Sequence, residues 1–159
     1  MMNYNKLHEL FEYKEGNLYR KTTTSTNAKE GQLVGTKCDG RLKVTINKVP
    51  YKLHRVIYFM HYGYLPKTID HIDGNPFNNK IENLRSATTQ ENNRNRKIND
   101  NNSSGCKNVT LHKRSKKWQV GLMINGKYKY FGIYKDLELA DLVAAEARNK
   151  YFGEFARHF

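Results

Sequence analysis

At 159 residues the chain can form one domain or two small ones, neither able to enclose a large core. Its 28 Lys plus Arg against 15 Asp plus Glu, a formal charge of +13 and a pI near 9.7 select a polyanionic partner, nucleic acid first. No apolar run reaches the length of a membrane span, no signal peptide opens the sequence, and Cys38 and Cys106 lack the CxxC or nearby His pair of a zinc site or disulfide framework.

The compartment these features imply is intracellular and reducing, with no membrane partner. Charge is unevenly spread. Residues 1–66 carry 11 basic and 5 acidic groups, 67–97 carry 6 and 4, and 98–159 carry 11 and 6. The least positive stretch is the one best suited to hold a cation.

In chain order, FEYKEGNLYRK (11–21) predicts a hairpin, with Glu15-Gly16-Asn17 as its turn. Residues 22–30 are Thr, Ser, Asn and Lys with nothing to bury, and form a loop. Gln32 to Thr36 and Arg41 to Asn47 read as strands joined through Cys38-Asp39-Gly40; Leu42, Val44 and Ile46 alternate with polar residues, giving a core face and a wet face. From His54 the period changes. Val56, Ile57 and Met60 fall at helical spacing and Gly63 ends the helix. A histidine beside such a stripe is more often packed or solvent-facing than a ligand, which is the reading for His61, whereas His54 and Arg55 sit next to the following motif and could reach phosphate.

Residues 68–96 organise the rest. Thr68-Ile69 begins a strand that presents Asp70 and His71. Asp73-Gly74 and Pro76 force a loop in which Asn75, Asn78 and Asn79 can satisfy backbone groups, and Asn83 suits the task of bracing it. Thr88 to Glu91 spells a capping box, so a helix starts there and carries Asn92 in its first turn. Arg94, Arg96 and Lys97 follow, placed to meet phosphate.

These residue types suit hydrolysis of a phosphodiester. The Asp70 carboxylate and Asn92 amide offer oxygen ligands to one Mg²⁺ or Mn²⁺ ion, with water and substrate phosphate completing its shell. His71, neutral near pH 7, can take a proton from the attacking water. DHIDGNPFNNKIENLRSATTQENN (70–93) resembles the HNH homing endonucleases of phages and introns, whose ββα-metal motif runs Asp-His, loop, Asn-Leu, then a metal-binding Asn on a helix. The resemblance spans roughly residues 50–97. It implies Asp70 and Asn92 as metal ligands, His71 as general base and Asn83 as the bracing member of the catalytic set. Asn92 stands where many members have His, as in homing nickases, which favours a hard ion.

INDNNSSGC (98–106) reads as a polar linker. Beyond it, three strands are expected: Lys107 to His112; a run through Trp118, Val120, Leu122 and Ile124; and Lys127 to Tyr134 after an Asn125-Gly126 turn. Asp136 caps a helix with Ala140, Val143, Ala144, Ala147 and Tyr151 on its apolar stripe, stopped by Gly153. This module resembles the plant ethylene-response-factor (Apetala-two type) DNA-binding domain, in which a sheet reads the major groove. By strand position the resemblance implies Thr110, His112, Arg114, Gln119, Tyr128 and Tyr130 toward DNA, with Lys113, Lys116, Lys117 and Lys127 on phosphates.

The expected architecture is α+β: N-terminal strands leading into a ββα-metal module over 1–97, a linker at 98–106, and a three-stranded antiparallel sheet on one helix over 107–159. The expected function is site-specific cleavage of double-stranded DNA. A monomer with one site nicks a single strand, and a homodimer would be needed to sever both. If phage-encoded, the chain would act in the cytoplasm of a bacterial host. The competing reading is a DNA-binding regulator with a degenerate motif, and a further one is structured-RNA binding.

Overall fold

A computed structural model describes residues 3–158 and divides into two compact units, one up to Thr89 and the other from Gln90. Both helices and strands are present, in keeping with the α+β expectation.

The first unit opens with a helix, α1 (Tyr4–Leu10), started by Asn3, whose side chain accepts from the Lys6 N–H. The β-rich reading of residues 1–97 did not include it. The expected hairpin follows as β1 (Phe11–Lys14) and β2 (Asn17–Arg20), paired from Phe11 opposite Arg20 to Lys14 opposite Asn17. The strand expected over Gln32 to Thr36 is instead two: β3 (Leu33–Val34) joins β2, and β4 (Thr36–Cys38) joins a second sheet. Gly35 divides them because its φ of +129° redirects the chain, a backbone state that L side chains rarely adopt. The second sheet orders β4, β5 (Arg41–Ile46) and β6 (Val49–Lys52).

Helix α2 (Leu53–Tyr62) leaves β6 directly and ends at Gly63. Its Leu53, Val56, Ile57 and Met60 are buried with Leu7, Phe11, Leu18, Val34, Val44, Ile46, Ile69 and Leu84 in one core. Each such Leu or Ile contributes roughly 1.5–3 kcal/mol by leaving water. This core supports the antiparallel pair β7 (Thr68–His71) and β8 (Leu84–Ala87), in which Asp70 faces Arg85 across the ladder.

The second unit includes most of helix α3 (Thr89–Arg94). Its sheet orders β11 (Lys127–Tyr134), β10 (Lys117–Ile124) and β9 (Val109–His112), packed on α4 (Leu137–Phe152). Val109, Val120, Leu122, Ala140, Ala144, Ala147 and Phe152 form the core. Asp136 caps α4 by accepting from the Leu139 N–H, and the helix ends at Gly153.

The division falls ahead of the segment expected as a linker. Lys107 Nζ donates to the carbonyls of Arg94 and Arg96 at 2.8 and 2.6 Å, and the Arg94 guanidinium lies 4.7 Å from the Phe152 ring centre. The 98–106 segment is itself tied. Asn102 Oδ1 accepts from the N–H groups of Ser104 and Gly105, and Ser104 Oγ donates to the carbonyls of Cys106 and Val109.

Candidate active site

Asp70 and His71 end β7 as neighbours, and both are buried, at 4 and 5 % exposure. A bare carboxylate could not stay charged there without a partner. Arg85, opposite on β8, supplies it: Nε and Nη2 both donate to Asp70 Oδ2 at 2.9 Å.

The His71 ring is held at its other face of chemistry by an amide. Its Nε2 lies 3.1 Å from Oδ1 of Asn79, a residue only 2 % exposed. An amide oxygen can only accept, so Nε2 carries the proton and the lone pair resides on Nδ1. His54 on α2 meets the same ring edge-on, with centroids 5.0 Å apart and planes at 75°. Burial drives the His71 pKa below its ordinary value, and the Arg41 charge adds to this. The bond from Asn79 and the charges of Asp73 and Asp70 oppose it. For His54 burial, followed by the charge of His71, lowers the pKa to about 3. Both imidazoles are therefore neutral at pH 7.

Between β7 and β8 the chain turns through a loop closed by its own side chains. Asn83 Oδ1 accepts from the Asp73 N–H at 3.0 Å, and Asn83 Nδ2 donates to Asp73 Oδ1 and to the Asn78 carbonyl at 2.9 and 2.8 Å. Asp73 also accepts from the Asn75 N–H and Asn78 Nδ2, each at 2.7 Å. Burial opposes ionisation of Asp73, but the bonds from Asn78, Asn75 and Asn83 hold its carboxyl below the ordinary range. The β1–β2 turn buttresses the loop from outside. Tyr13 Oη accepts from the Ile81 N–H at 3.0 Å, and Glu15 pairs with Lys80 at 2.7 Å. Gly16, at φ +83°, lets this turn close in, since a Cβ there would lie 2.7 Å from the Lys80 nitrogen.

The structure thus groups Asp70, His71 and Asn83 within the first unit. Asn92, half-buried on α3, belongs to the second, together with Arg94 and the exposed Arg96 and Lys97. Arg94 donates to Asn125 Oδ1 at 3.4 Å besides covering Phe152, so its guanidinium is engaged inside its own unit. Arg55 Nη1 donates to the Lys67 carbonyl at 3.4 Å. In the second unit, Gln119 pairs with Thr110 and its Nε2 donates to Tyr128 Oη at 2.9 Å. Tyr130 sits opposite Gly121, and His112 opposite Lys117. Alternation along the strands places Thr110, His112, Gln119, Tyr128 and Tyr130 on the face turned away from α4. Arg114 lies exposed in the β9–β10 turn.

Sequence reading missed Asn79, Arg85 and His54 as members of the site. The backbone-satisfying part expected of Asn79 is also present, through Nδ2 on the Phe77 carbonyl at 3.4 Å. Arg85 becomes visible only once the β7–β8 register is known. Among the described residues no group of three or more His, Cys, Asp or Glu converges in the manner of an all-protein metal cage. No described helix is long and apolar enough to cross a membrane.

Residues 51–94 match the family model of the HNH endonuclease domain. That span contains the end of β6, α2, the β7–β8 pair and α3, hence every side chain described around His71 except Arg41 and the buttressing β1–β2 hairpin. Protein 3.8 of Escherichia phage T7 is 37 % identical over 99 residues, which cover 60 % of this chain and 79 % of that protein. No solved structure matches the chain. The chain belongs to the same family as the phage T7 Protein 3.8 and carries an HNH endonuclease domain over residues 51–94.

Proposed function

We propose that the chain is a metal-dependent DNA endonuclease that hydrolyses one phosphodiester per encounter, with His71 as general base. The observation that carries this reading is the Asn79–His71 bond, which sets the tautomer a base needs beside a buried, arginine-paired carboxylate. By donor type, the residues suit a hard divalent ion. The Asp70 carboxylate and the Asn92 amide offer oxygen, the atom type Mg²⁺ and Mn²⁺ take, and few protein ligands are needed where water and phosphate fill the remaining positions. When bound, such an ion supplies positive charge to the phosphoryl and leaving oxygens.

His71 Nδ1 takes the proton of the attacking water. Asn79 keeps the ring from turning, and the two bonds from Arg85 fix the position of the Asp70 carboxylate. Asn83 holds the loop that carries Asn79. The second unit, a three-stranded sheet on one helix, supports the reading of an Apetala-two-type DNA-binding module. Thr110, His112, Gln119, Tyr128 and Tyr130 contact bases from its open face, while Arg114, Arg96 and Lys97 contact the backbone, as Arg55 does from the first unit. Acting as a monomer, the protein nicks one strand of duplex DNA inside the infected cell.

Supercoiled plasmid incubated with Mg²⁺ or Mn²⁺ tests this directly. Open circles that form only with metal, disappear with chelator and are lost in His71→Ala are the expected result. DNA binding of ordinary strength with no open circles from the native protein would favour a binding regulator and overturn the assignment.

A further inference from the structure

Within the polar turn DGNPFNN, Phe77 is the one aromatic residue, and the structure leaves it outward at 42 % exposure; Ile72, next to His71, is 44 % exposed. Single exposed apolar residues are ordinary on protein surfaces. Phe77 differs because its backbone is held on both sides. Its N–H donates to Asn75 Oδ1 at 3.1 Å, and its carbonyl accepts from Asn79 Nδ2 at 3.4 Å. The same Asn79 side chain accepts from His71 Nε2 through its other end. One buried carboxamide therefore fixes the exposed ring's backbone and the imidazole together. A cation accompanies the ring, with Lys37 Nζ 5.5 Å from its centre.

A rigidly mounted aromatic side chain beside a basic group has the chemistry to part stacked bases, whose faces are apolar and whose flanking phosphates are anionic. We propose that Phe77 is a positioning residue that inserts at the base step beside the bond to be cut, with Lys37 meeting the neighbouring phosphate. The insertion kinks the strand and brings its backbone to His71, at a distance set by Asn79. The inference rests on the endonuclease reading for the meaning of "the bond to be cut", but base insertion can be observed without cleavage.

The test uses full-length protein with His71→Ala and a duplex carrying 2-aminopurine, placed in successive duplexes across the bound region. Binding is expected to raise the fluorescence at one step, and adding Phe77→Ala to abolish the rise while Phe77→Tyr retains it. In the protein with His71 intact, Phe77→Ala should lower kcat about tenfold with little change in KM, a deficit removed by a mismatch placed at that step. The exposed ring makes Phe77→Ala a mild substitution for folding, and Phe77→Leu provides a second test if it is not. No rise at any step with Phe77 present overturns the proposal, as does a Phe77→Ala deficit equal on paired and mismatched duplex. Absence of nicking together with the Phe77-dependent rise would remove the endonuclease reading and leave insertion standing.

Discussion

His54 shows how a single buried imidazole links the site to stability. It packs edge-on against His71, and its pKa is lowered to about 3 by burial and by the charge of its neighbour. In the unfolded chain a histidine titrates near pH 6.5, so above that value both states are neutral and His54 makes no pH-dependent contribution. As pH falls from 6.5 toward 3 the unfolded state takes up a proton that the folded state refuses, and stability drops by up to about 1.4 kcal/mol per pH unit. His71, also shifted downward, adds a loss of the same sign. The carboxylate Asp73, lowered below its ordinary value, loses its contribution only at more acidic pH. Urea unfolding at pH 7 and pH 5 separates these groups: His54→Phe, which keeps a ring in the contact, should lose clearly less stability over that interval than the native chain. Equal losses would show that His54 is hydrated in the folded state.

The element that converts sequence into a site is the loop between β7 and β8, and Asn83 is its keystone. Its amide satisfies the Asp73 N–H and donates to both Asp73 and the Asn78 carbonyl, so Asn83→Ala leaves a partly buried donor and acceptor unpaired at a cost of about 1–3 kcal/mol. Because Asn79 follows Asn78 directly, loosening this turn also frees the His71 ring. Cleavage should therefore fall further in Asn83→Ala than the fraction unfolded accounts for, as measured by activity at a temperature where circular dichroism still reports a folded chain. Activity that simply tracks folded protein would reduce Asn83 to a stability role.

Much of this element was legible beforehand. Asp73-Gly74 and Pro76 dictate a turn by local backbone preference, and the hairpins at Glu15-Gly16-Asn17 and Asn125-Gly126 formed for the same reason. Long-range partners were not. Arg85 meets Asp70, and Tyr13 meets Ile81, only through strand register and the approach of a distant turn, neither of which local pattern encodes. Local order within the segment expected as a linker was hidden for another reason: Asn and Ser at 102–104 read as solvated because their composition is polar, yet the Asn102 and Ser104 side chains close on nearby backbone.

Across the whole molecule, charge is shared almost evenly. Residues up to Thr89 hold 14 basic and 8 acidic groups, and those from Gln90 hold 14 and 7. Neither unit is thus a neutral passenger, and a polyanion should be gripped by both. The β9–β10 turn is the densest exposed basic feature of the second unit, with Lys113, Arg114 and Lys116 in four residues and no acidic neighbour in the turn. Each phosphate contact made by such a side chain releases a counterion, so the slope of log K against log salt steepens by about 0.9 per contact on duplex DNA. Replacing all three with Gln should make that slope shallower by about 2 to 3 and weaken binding at low salt. The His71 environment lies in the other unit, so cleavage by the variant at saturating DNA should match the native rate. Measuring binding by fluorescence anisotropy from low to moderate salt, alongside single-turnover cleavage, separates the two quantities. A slope unchanged by the triple substitution would mean that the turn stays in solvent when DNA is bound, and that the second unit's charge grips the backbone elsewhere.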